Sequence, residues 1–222
     1  MKSIFAKPYA VVFVLPIAIV ALAQNQVVLK TQLPPPLFVG TPAPLKVPNL
    51  EPPMKGKRPD FLVPAGTINL AKNKKVTSSD TNPVTGTLDM LVDGDKDGSE
   101  GSWIELGPGK QWVQIDLARK ADIYAVLLWH FHSQARVYRD VVVQVSDDPA
   151  FKSNVTTIFN NDFANEIGAG AGKNLNYIET YQGKLIDAKG VKGRYVRLYS
   201  NGNTSNKLNH YIEVEVWGKP AA

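Results

Sequence analysis

Apolar and polar positions alternate along much of the chain after residue 65. A period of two is visible over residues 113–117, 141–145, 195–199 and 212–216. Such alternation predicts β-strands with one buried face. Residues 123–129 are almost continuously apolar, which is typical of a central strand. Helical periodicity is not seen, so we predict an all-β domain, either a sandwich or a barrel.

Turn residues separate these runs. Ser146-Asp147-Asp148-Pro149 closes one predicted strand and Asn201-Gly202-Asn203 follows another. Both are rich in residues that favour turns. Residues 160–184 contain four glycines and read as one long loop or a loosely paired hairpin. Long loops in compact domains often carry function.

The N-terminus has the pattern of an export signal. Lys2 and Lys7 give it a basic start, residues 9–23 are almost entirely apolar, and Ala21-Leu22-Ala23 is a small-x-small cleavage pattern. An uncleaved membrane anchor is the competing interpretation, but the apolar run has about 15 residues and a bilayer span needs roughly 20. We therefore predict a signal peptide over residues 1–23 and a secreted protein, extracellular or periplasmic. No membrane insertion is expected after cleavage.

Residues 24–65 contain ten prolines. Proline removes amide donors and favours extended polyproline conformation, so this segment is predicted to be a semi-rigid linker rather than a packed element. A peptide ligand for some partner is the alternative. The folded domain is expected to span residues 66–218, and residues 219–222 to form a short tail.

Composition narrows the functional classes. The chain has no cysteine, which excludes disulfides, a cysteine nucleophile and a cysteine-based zinc site. The net charge is +5, and it falls by two to +3 when Lys2 and Lys7 leave with the signal peptide. A charge this small, mixed evenly with acids, argues against a nucleic-acid partner.

One loop concentrates negative charge. Asp93, Asp95 and Asp97 lie within five residues, interleaved with Gly94 and followed by Gly98. Carboxylates this close repel one another, and a calcium ion with six to eight oxygen ligands would relieve the repulsion. Glycine lets the chain bend tightly around such an ion.

Three interpretations of this loop compete. An EF-hand-like loop fits Asp93, Asp95, Asp97 and the following glycine, but Ile104 stands where the closing glutamate belongs. A solvated acidic turn without metal is the second. The third is the acidic loop of a known domain family.

Five motifs carry that family resemblance. They are the stretches NLAKNKKVT at 69–77, LVDGD at 91–95, WVQIDL at 112–117, RYVRL at 194–198 and IEVEVWG at 212–218. In this order they resemble the discoidin, or coagulation factor 5/8 type C, domains. That galactose-binding-like family includes the family 32 carbohydrate-binding modules and fucose-binding lectins.

The resemblance implies a jelly-roll β-sandwich with one structural calcium ion. By position, Asp93 and Glu213 correspond to the family's carboxylate ligands. The backbone carbonyls of Met90, Asp95 and Ile212 correspond to its other ligands. The family usually has a threonine or serine where this chain has Gly98, so Ser99 or Ser102 is expected to take that role.

The stretch from Trp129 to Arg139 is the candidate ligand face, because it combines aromatic, histidine and arginine side chains. Such side chains can both stack on the C–H face of a sugar and bond its hydroxyls. The fucose-binding relatives contact sugar with arginines at the positions of His130 and Arg136. The loop between the last two strands is expected at the same end. The predicted ligand-binding residues are His130, His132, Arg136, Tyr138, Asn203 and Lys207.

Plainer roles remain open for the same residues. His130 and His132 would suit zinc if His210 completed the site. Arg136 and Arg139 would also suit surface ion pairs with Asp140 or Asp147. Trp129 and Phe131 would also suit the core.

An enzymatic role is not expected. Glu213 and Glu215 are the only suggestive carboxylate pair, and one of them is better explained by calcium. Neither a G-x-S-x-G nor an H-E-x-x-H motif occurs. The sequence therefore predicts a monomeric, non-catalytic module that binds glycan. The alternative is an interaction or adhesion module that uses the same loops to bind an exported protein.

Overall fold

The computed structural model describes residues 25–37 and 45–221. The predicted signal peptide at 1–23 lies outside the described residues. Within them, no helix is long and apolar enough to cross a membrane.

The described chain is almost entirely β-structure. Its only helix there is a 3₁₀ helix at Leu88–Val92. The strands are β1 Gln26–Val28, β2 Leu62–Pro64, β3 Ile68–Asn69, β4 Lys75–Ser78, β5 Ile104–Leu106, β6 Lys110–His130, β7 Val142–Ser146, β8 Thr156–Asn160, β9 Lys184–Asn201 and β10 Asn209–Pro220. All strand pairs are antiparallel, which matches the predicted jelly-roll sandwich.

Two long strands tie the sandwich together. The first half of β6 pairs with β4 and with the end of β9, and β9 continues the sheet to β7 and β8. The second half of β6 pairs with β10 and with the start of β9. The pairing of β6 with β9 breaks between Asp116 and Ala121, and there the strands pass from one layer to the other.

The main core lies between these layers. It contains Val113 and Ile115 from the first half of β6, Val126 and Leu128 from its second half, and Val196 from β9. These are the inward positions of the alternating runs, so the predicted strand periodicity is confirmed.

A second apolar cluster lies on the opposite face of β6. It consists of Ala125, Leu127, Trp129 and Ile212, all fully buried. Residues 123–129 are thus covered on both faces, which explains why the run is continuously apolar.

The cover for this second face comes from the proline-rich segment. Leu29, Leu33 and Phe61 pack against the cluster. Strand β1 pairs with β2, and the amide of Leu29 donates to the carbonyl of Phe61 at 2.8 Å. The structure differs here from the prediction of a semi-rigid linker that does not pack. Proline opposes helix formation, but an extended segment can still pair with another and cover an apolar sheet face.

Strand β10 also departs from simple alternation. Its register against β6 shifts between Tyr211 and Glu213, as in a β-bulge. Ile212 therefore packs with the second cluster and not with Val214 and Val216. The strand continues to Pro220, two residues past the predicted domain end.

The glycine-rich region between β8 and β9 is a long irregular loop. Of the two predicted alternatives, a long loop and a loosely paired hairpin, the first is confirmed. Asp162 is buried inside it and accepts hydrogen bonds from the amides of Glu166 and Ile167, at 2.9 and 2.8 Å. These bonds satisfy backbone donors that no strand partner reaches.

Candidate functional site

The acidic loop begins where the 3₁₀ helix ends. Its aspartates each accept the amide two residues further on: Asp93 from Asp95 at 2.7 Å, Asp95 from Asp97 at 2.9 Å and Asp97 from Ser99 at 3.1 Å. Such successive Asx turns curl the backbone without regular structure. The loop is therefore shaped by its own carboxylates.

Glu213 on β10 meets this loop from the far end of the sequence. Its side chain is fully buried, and its Oε2 accepts the amide of Gly94 at 3.2 Å. In the described part of the chain its other oxygen, Oε1, has no hydrogen-bond partner. The prediction that the loop of Asp93 and the last strand come together is confirmed.

Burial raises the pKa of Glu213 to about 9. The amide of Gly94 and the ammonium of Lys96 lower this pKa, whereas the nearby carboxylates of Glu215 and Asp93 raise it. Without a bound cation, the carboxyl of Glu213 is consequently protonated at neutral pH. A carboxyl in this state is a group that a metal ion would ionise.

The neighbouring carboxylate is already neutralised. Lys96 Nζ lies 2.8 Å from Glu215 Oε1, and both side chains are almost completely buried. The same ammonium lies 5.5 Å from the centre of the Trp129 ring. Trp217 Nε1 donates to the other oxygen of Glu215 at 2.9 Å. Glu215 is thus fully engaged, and Glu213 is the carboxyl left with a free oxygen.

The residues fit a divalent cation with oxygen ligands. Glu213 contributes an unpartnered buried oxygen, and Asp93 lies close enough to influence its pKa. The bulge takes Ile212 out of the ladder with β6, and Met90 lies in the turn that leads into the loop. No group of three or more His, Asp or Glu side chains in the described ranges is arranged to hold a metal. Backbone carbonyls would have to complete the set, as the resemblance implies.

The predicted serine ligand is less well placed. Ser99 is exposed, and its amide is held by Asp97. The carbonyl of Gly98 already accepts the hydroxyl of Ser133. Asp93 and Glu213 therefore carry the calcium prediction.

Four of the six predicted ligand-binding side chains are buried: His130, His132, Tyr138 and Asn203. Direct sugar contact by these side chains does not agree with this structure. Each has an internal partner instead. Asn203, for example, donates to Asn206 Oδ1 at 2.7 Å and organises its own loop. Arg136 is half-buried and Lys207 is exposed.

His130 and His132 make different contacts inside the protein. His130 Nδ1 lies 2.6 Å from Glu179 Oε1, and its ring stacks on Tyr138 with a centroid distance of 4.1 Å. His132 Nε2 donates to the carbonyl of Lys96 at 3.0 Å. The zinc alternative is not supported, since no such metal cluster exists among residues 25–37 and 45–221.

A hydrogen-bonded chain runs beneath the same loop. The hydroxyl of Tyr138 lies 2.9 Å from His210 Nδ1, and His210 Nε2 lies 2.9 Å from Glu105 Oε2. Burial, with help from the charges of Arg136 and His130, lowers the pKa of His210 to about 4. The imidazole is therefore neutral at physiological pH, accepting from Tyr138 and donating to Glu105.

One cluster at this end, which we call the loop-end patch, consists of the half-buried Trp103 and Arg136 and the buried Phe131. The guanidinium of Arg136 lies 4.3 Å from the centre of the Phe131 ring, and Trp103 meets that ring edge-on at 4.9 Å. Within the described residues, Arg136 Nε and Nη1 and Trp103 Nε1 have no hydrogen-bond partner. The patch thus combines aromatic rings with buried N–H donors that have no partner among the described residues.

Sequence reasoning missed Glu179 and Glu105, the acids that hold the buried histidines. Glu179 lies in the long irregular loop, 49 residues from His130. No local pattern marks it, because only the fold brings the two together.

Comparison with known proteins agrees with this geometry. The F5/8 type C domain family matches residues 73–214. No curated protein matches the chain significantly. Among solved structures, the chain is similar to the CBM32 of AlyQ in complex with 4,5-unsaturated mannuronic acid. The identity is 19%, with 64% of this chain and 92% of that chain covered and a TM-score of 0.47.

Two larger proteins share the fold. A family 89 glycoside hydrolase from Clostridium perfringens is 18% identical over 69% of this chain, with a TM-score of 0.51, and the match spans 15% of the hydrolase. Truncated AlyQ, with CBM32 and alginate lyase domains, is 16% identical over 70% of this chain, with a TM-score of 0.50 and 35% of that chain covered. The matched residues 73–214 include the acidic loop, the loop-end patch and Glu213, and the chain belongs to the F5/8 type C domain family.

Proposed function

We propose that this protein is a secreted, non-catalytic module that binds glycans through the loop-end patch and holds one structural calcium ion. The arrangement of Arg136 carries the proposal. Its planar guanidinium lies on the Phe131 ring at the end of the β-sandwich, and two of its nitrogens, both buried, have no hydrogen-bond partner among the described residues. Sugars offer hydroxyl acceptors and an apolar face, and this patch complements both.

The fold and the family support the same conclusion. Truncated AlyQ, which shares the fold, carries a CBM32 beside its alginate lyase domain. The patch is small and only partly exposed, so we expect weak binding by a single copy, with avidity from several copies or partners. Export is supported by the N-terminal sequence pattern alone.

A non-catalytic role is supported by the burial and the internal contacts of Glu213 and Glu215. Glu213 and Glu215 are the pair that suggested glycoside hydrolysis. Glu215 is tied to Lys96 and Trp217, and Glu213 is sealed from solvent beside Gly94. Neither can reach a glycosidic bond in an external glycan.

Calcium is proposed as the partner of Asp93 and Glu213. An ion there would ionise Glu213, join the acidic loop to the last strand and stabilise the folded state by mass action. Its role would be structural, since Asp93 lies in the acidic loop and Glu213 is buried on β10, and neither belongs to the loop-end patch.

Binding to a glycan array, followed by calorimetric titration of the glycans that bind, tests the function. Arg136→Ala should weaken binding at least about tenfold, because it removes charge-assisted hydrogen bonds. Arg119→Ala is the matched control, since Arg119 is an exposed arginine on the turn within β6. Equal affinity of wild type and Arg136→Ala, or no binding to any glycan, would contradict the proposal.

A further inference from the structure

A cavity lies between the proline-rich segment and the long irregular loop. Its volume is about 740 Å³. One wall is formed by residues 51–61 and the other by residues 177–185, with His132 and Ala135 at its edge. Cavities of this size are typical of small-molecule sites. Residues 51–61 lie outside the family match at 73–214, so this cavity is a feature that the family fold does not provide.

The segment above the cavity is an arch fixed at both ends. At one end, the amide of Glu51 donates to the carbonyl of Asn176 at 2.8 Å. At the other, the amide of Arg58 donates to Gln182 Oε1 at 2.8 Å, and Gln182 Nε2 donates to the carbonyl of Gly56 at 2.9 Å. Residues 52–57 between these anchors are exposed. The cavity is therefore built by tertiary contacts on both sides.

Ring faces line it. Phe61, Tyr177 and Tyr181 contribute aromatic side chains, and Pro52 and Pro59 add apolar surface. Aromatic faces favour the C–H face of a sugar ring over a fully polar solute.

Two lining residues carry buried polar atoms that the protein leaves unused. The Tyr177 hydroxyl and Glu179 Oε2 have no hydrogen-bond partner within the described residues. Such atoms cost folding free energy unless something bonds to them. Both atoms are buried, so a ligand hydroxyl that donates to the carboxylate and accepts from the phenol requires these side chains to turn toward the cavity.

The charged residues of the lining select against an ionic ligand. Three are basic and three acidic: Lys57, Arg58, Lys184, Glu51, Asp60 and Glu179. Lys184 is paired with Glu51 at 2.6 Å, and Arg58 Nη1 is held by the carbonyl of Gln182 at 2.7 Å. With the charges balanced, the lining favours a neutral ligand.

We propose that this cavity is a second binding site, for a neutral, hydroxyl-rich ligand of about disaccharide size. The site adjoins the loop-end patch, since the amide of Glu179 donates to the carbonyl of Arg136 at 2.9 Å, but it is lined by different side chains. Only its ligand class rests on the proposed glycan-binding function. Tyr181 supplies a stacking face, and Tyr177 with Glu179 supplies the polar contacts.

Tryptophan indole N–H signals report on both sites, and variants are needed to separate them because Trp103 also packs against the cluster that contains Trp129. Trp129 Nε1 donates to the carbonyl of Tyr181 at 2.9 Å and so senses the cavity wall. Trp103 belongs to the loop-end patch, and Trp112 lies on the first half of β6 as an internal reference. Titration of the full chain with cellobiose, lactose and N,N′-diacetylchitobiose should shift the Trp129 signal in ¹⁵N–¹H spectra for at least one of them, with saturation.

Variants separate the second site from the first. Tyr181→Ala should weaken the Trp129 response about tenfold and leave the Trp103 response intact, because it removes the stacking ring. Tyr181→Phe should retain the response, and so should Tyr124→Ala, which removes a half-buried tyrosine of β6 outside the cavity. Arg136→Ala should abolish only the Trp103 response.

The outcomes are distinct. A Trp103 response with an unchanged Trp129 signal overturns the second site and leaves the proposed function standing. A Trp129 response that survives Tyr181→Ala, in protein with a wild-type amide spectrum, also overturns it. Silence of both signals with every disaccharide counts against both sites.

Discussion

Among single residues, Glu213 shows how burial and charge act together. Its exposed neighbours in the acidic loop are solvated, whereas Glu213 has one oxygen on the Gly94 amide and one without a partner. Desolvation disfavours the ionised form, so an isolated Glu213 holds its proton. A divalent ion reverses that preference, since metal and proton compete for the same oxygen.

Glu213→Gln tests this competition. In calcium-free wild type, the folded-state pKa is about 9 and the ordinary value is 4.5. The folded state binds the proton more tightly, so stability is lost as pH rises from about 5 to 9, by at most roughly 1.4 kcal/mol per pH unit. Calcium at about 100 times its Kd should add roughly 2.7 kcal/mol at neutral pH. Both effects should vanish in Glu213→Gln, measured by urea unfolding with EDTA or calcium.

Glu100→Gln is the matched control, because Glu100 is an exposed carboxyl of the same loop. It should keep the wild-type calcium response and the wild-type pH slope. A full calcium response in Glu213→Gln would place the ion elsewhere.

The individual site residues differed in how far the sequence could predict them. Asp93 and Glu213 could be paired from their positions in the five motifs. His130 and Tyr138 were predicted to face a ligand, but they stack on each other inside the fold. A histidine flanked by aromatic residues suits either role, and Glu179, whose bond to His130 explains its burial, is distant in the chain.

At the level of elements, the proline-rich segment changes the sandwich most. Strand β6 would expose Ala125, Leu127 and Trp129 if nothing covered its outer face. The continuous apolar run of 123–129 was the signal that a cover exists, although the run does not say which segment supplies it. Proline density predicted a linker because it opposes helix and central-strand pairing. It does not oppose a short two-stranded ribbon that lies on an apolar face.

Phe61→Ala should destabilise the domain by about 1–3 kcal/mol, because Phe61 packs on the second cluster and truncation leaves a gap there. Leu62→Ala is the control on the adjacent residue, whose side chain is 54% exposed. It should change stability by less than about 0.5 kcal/mol. The measurement is the urea midpoint with an unchanged m-value. Equal, small effects of the two substitutions would mean that the segment does not stabilise the sandwich.

For the whole molecule, two sets of long-range contacts, which we call ties, connect segments that are distant in the sequence to the alternating strands. One joins the acidic loop to β10 through Glu213, and the other joins the N-terminal segment to β6 and to the long loop. The all-β class and the jelly-roll fold followed from periodicity and motif order, which are local in the sequence. The second tie did not, since its N-terminal residues lie outside the five motifs and no local pattern pairs them with the sandwich, as the contact of Glu51 with Lys184 shows.

Limited trypsin digestion tests whether this second tie is an integral part of the fold. Lys55 and Lys57 lie on the exposed arch, so cleavage is expected there. The pairing of β1 with β2 and the bonds of Glu51 to Asn176 and Lys184 should hold the N-terminal fragment after cleavage. The nicked protein should elute as one species in native size-exclusion chromatography and separate in urea. A variant with Lys55→Gln and Lys57→Gln should resist cleavage at the arch. Release of the fragment without denaturant would contradict this prediction. It would mean that the segment is a linker, since a linker without contacts to the domain separates once it is cleaved.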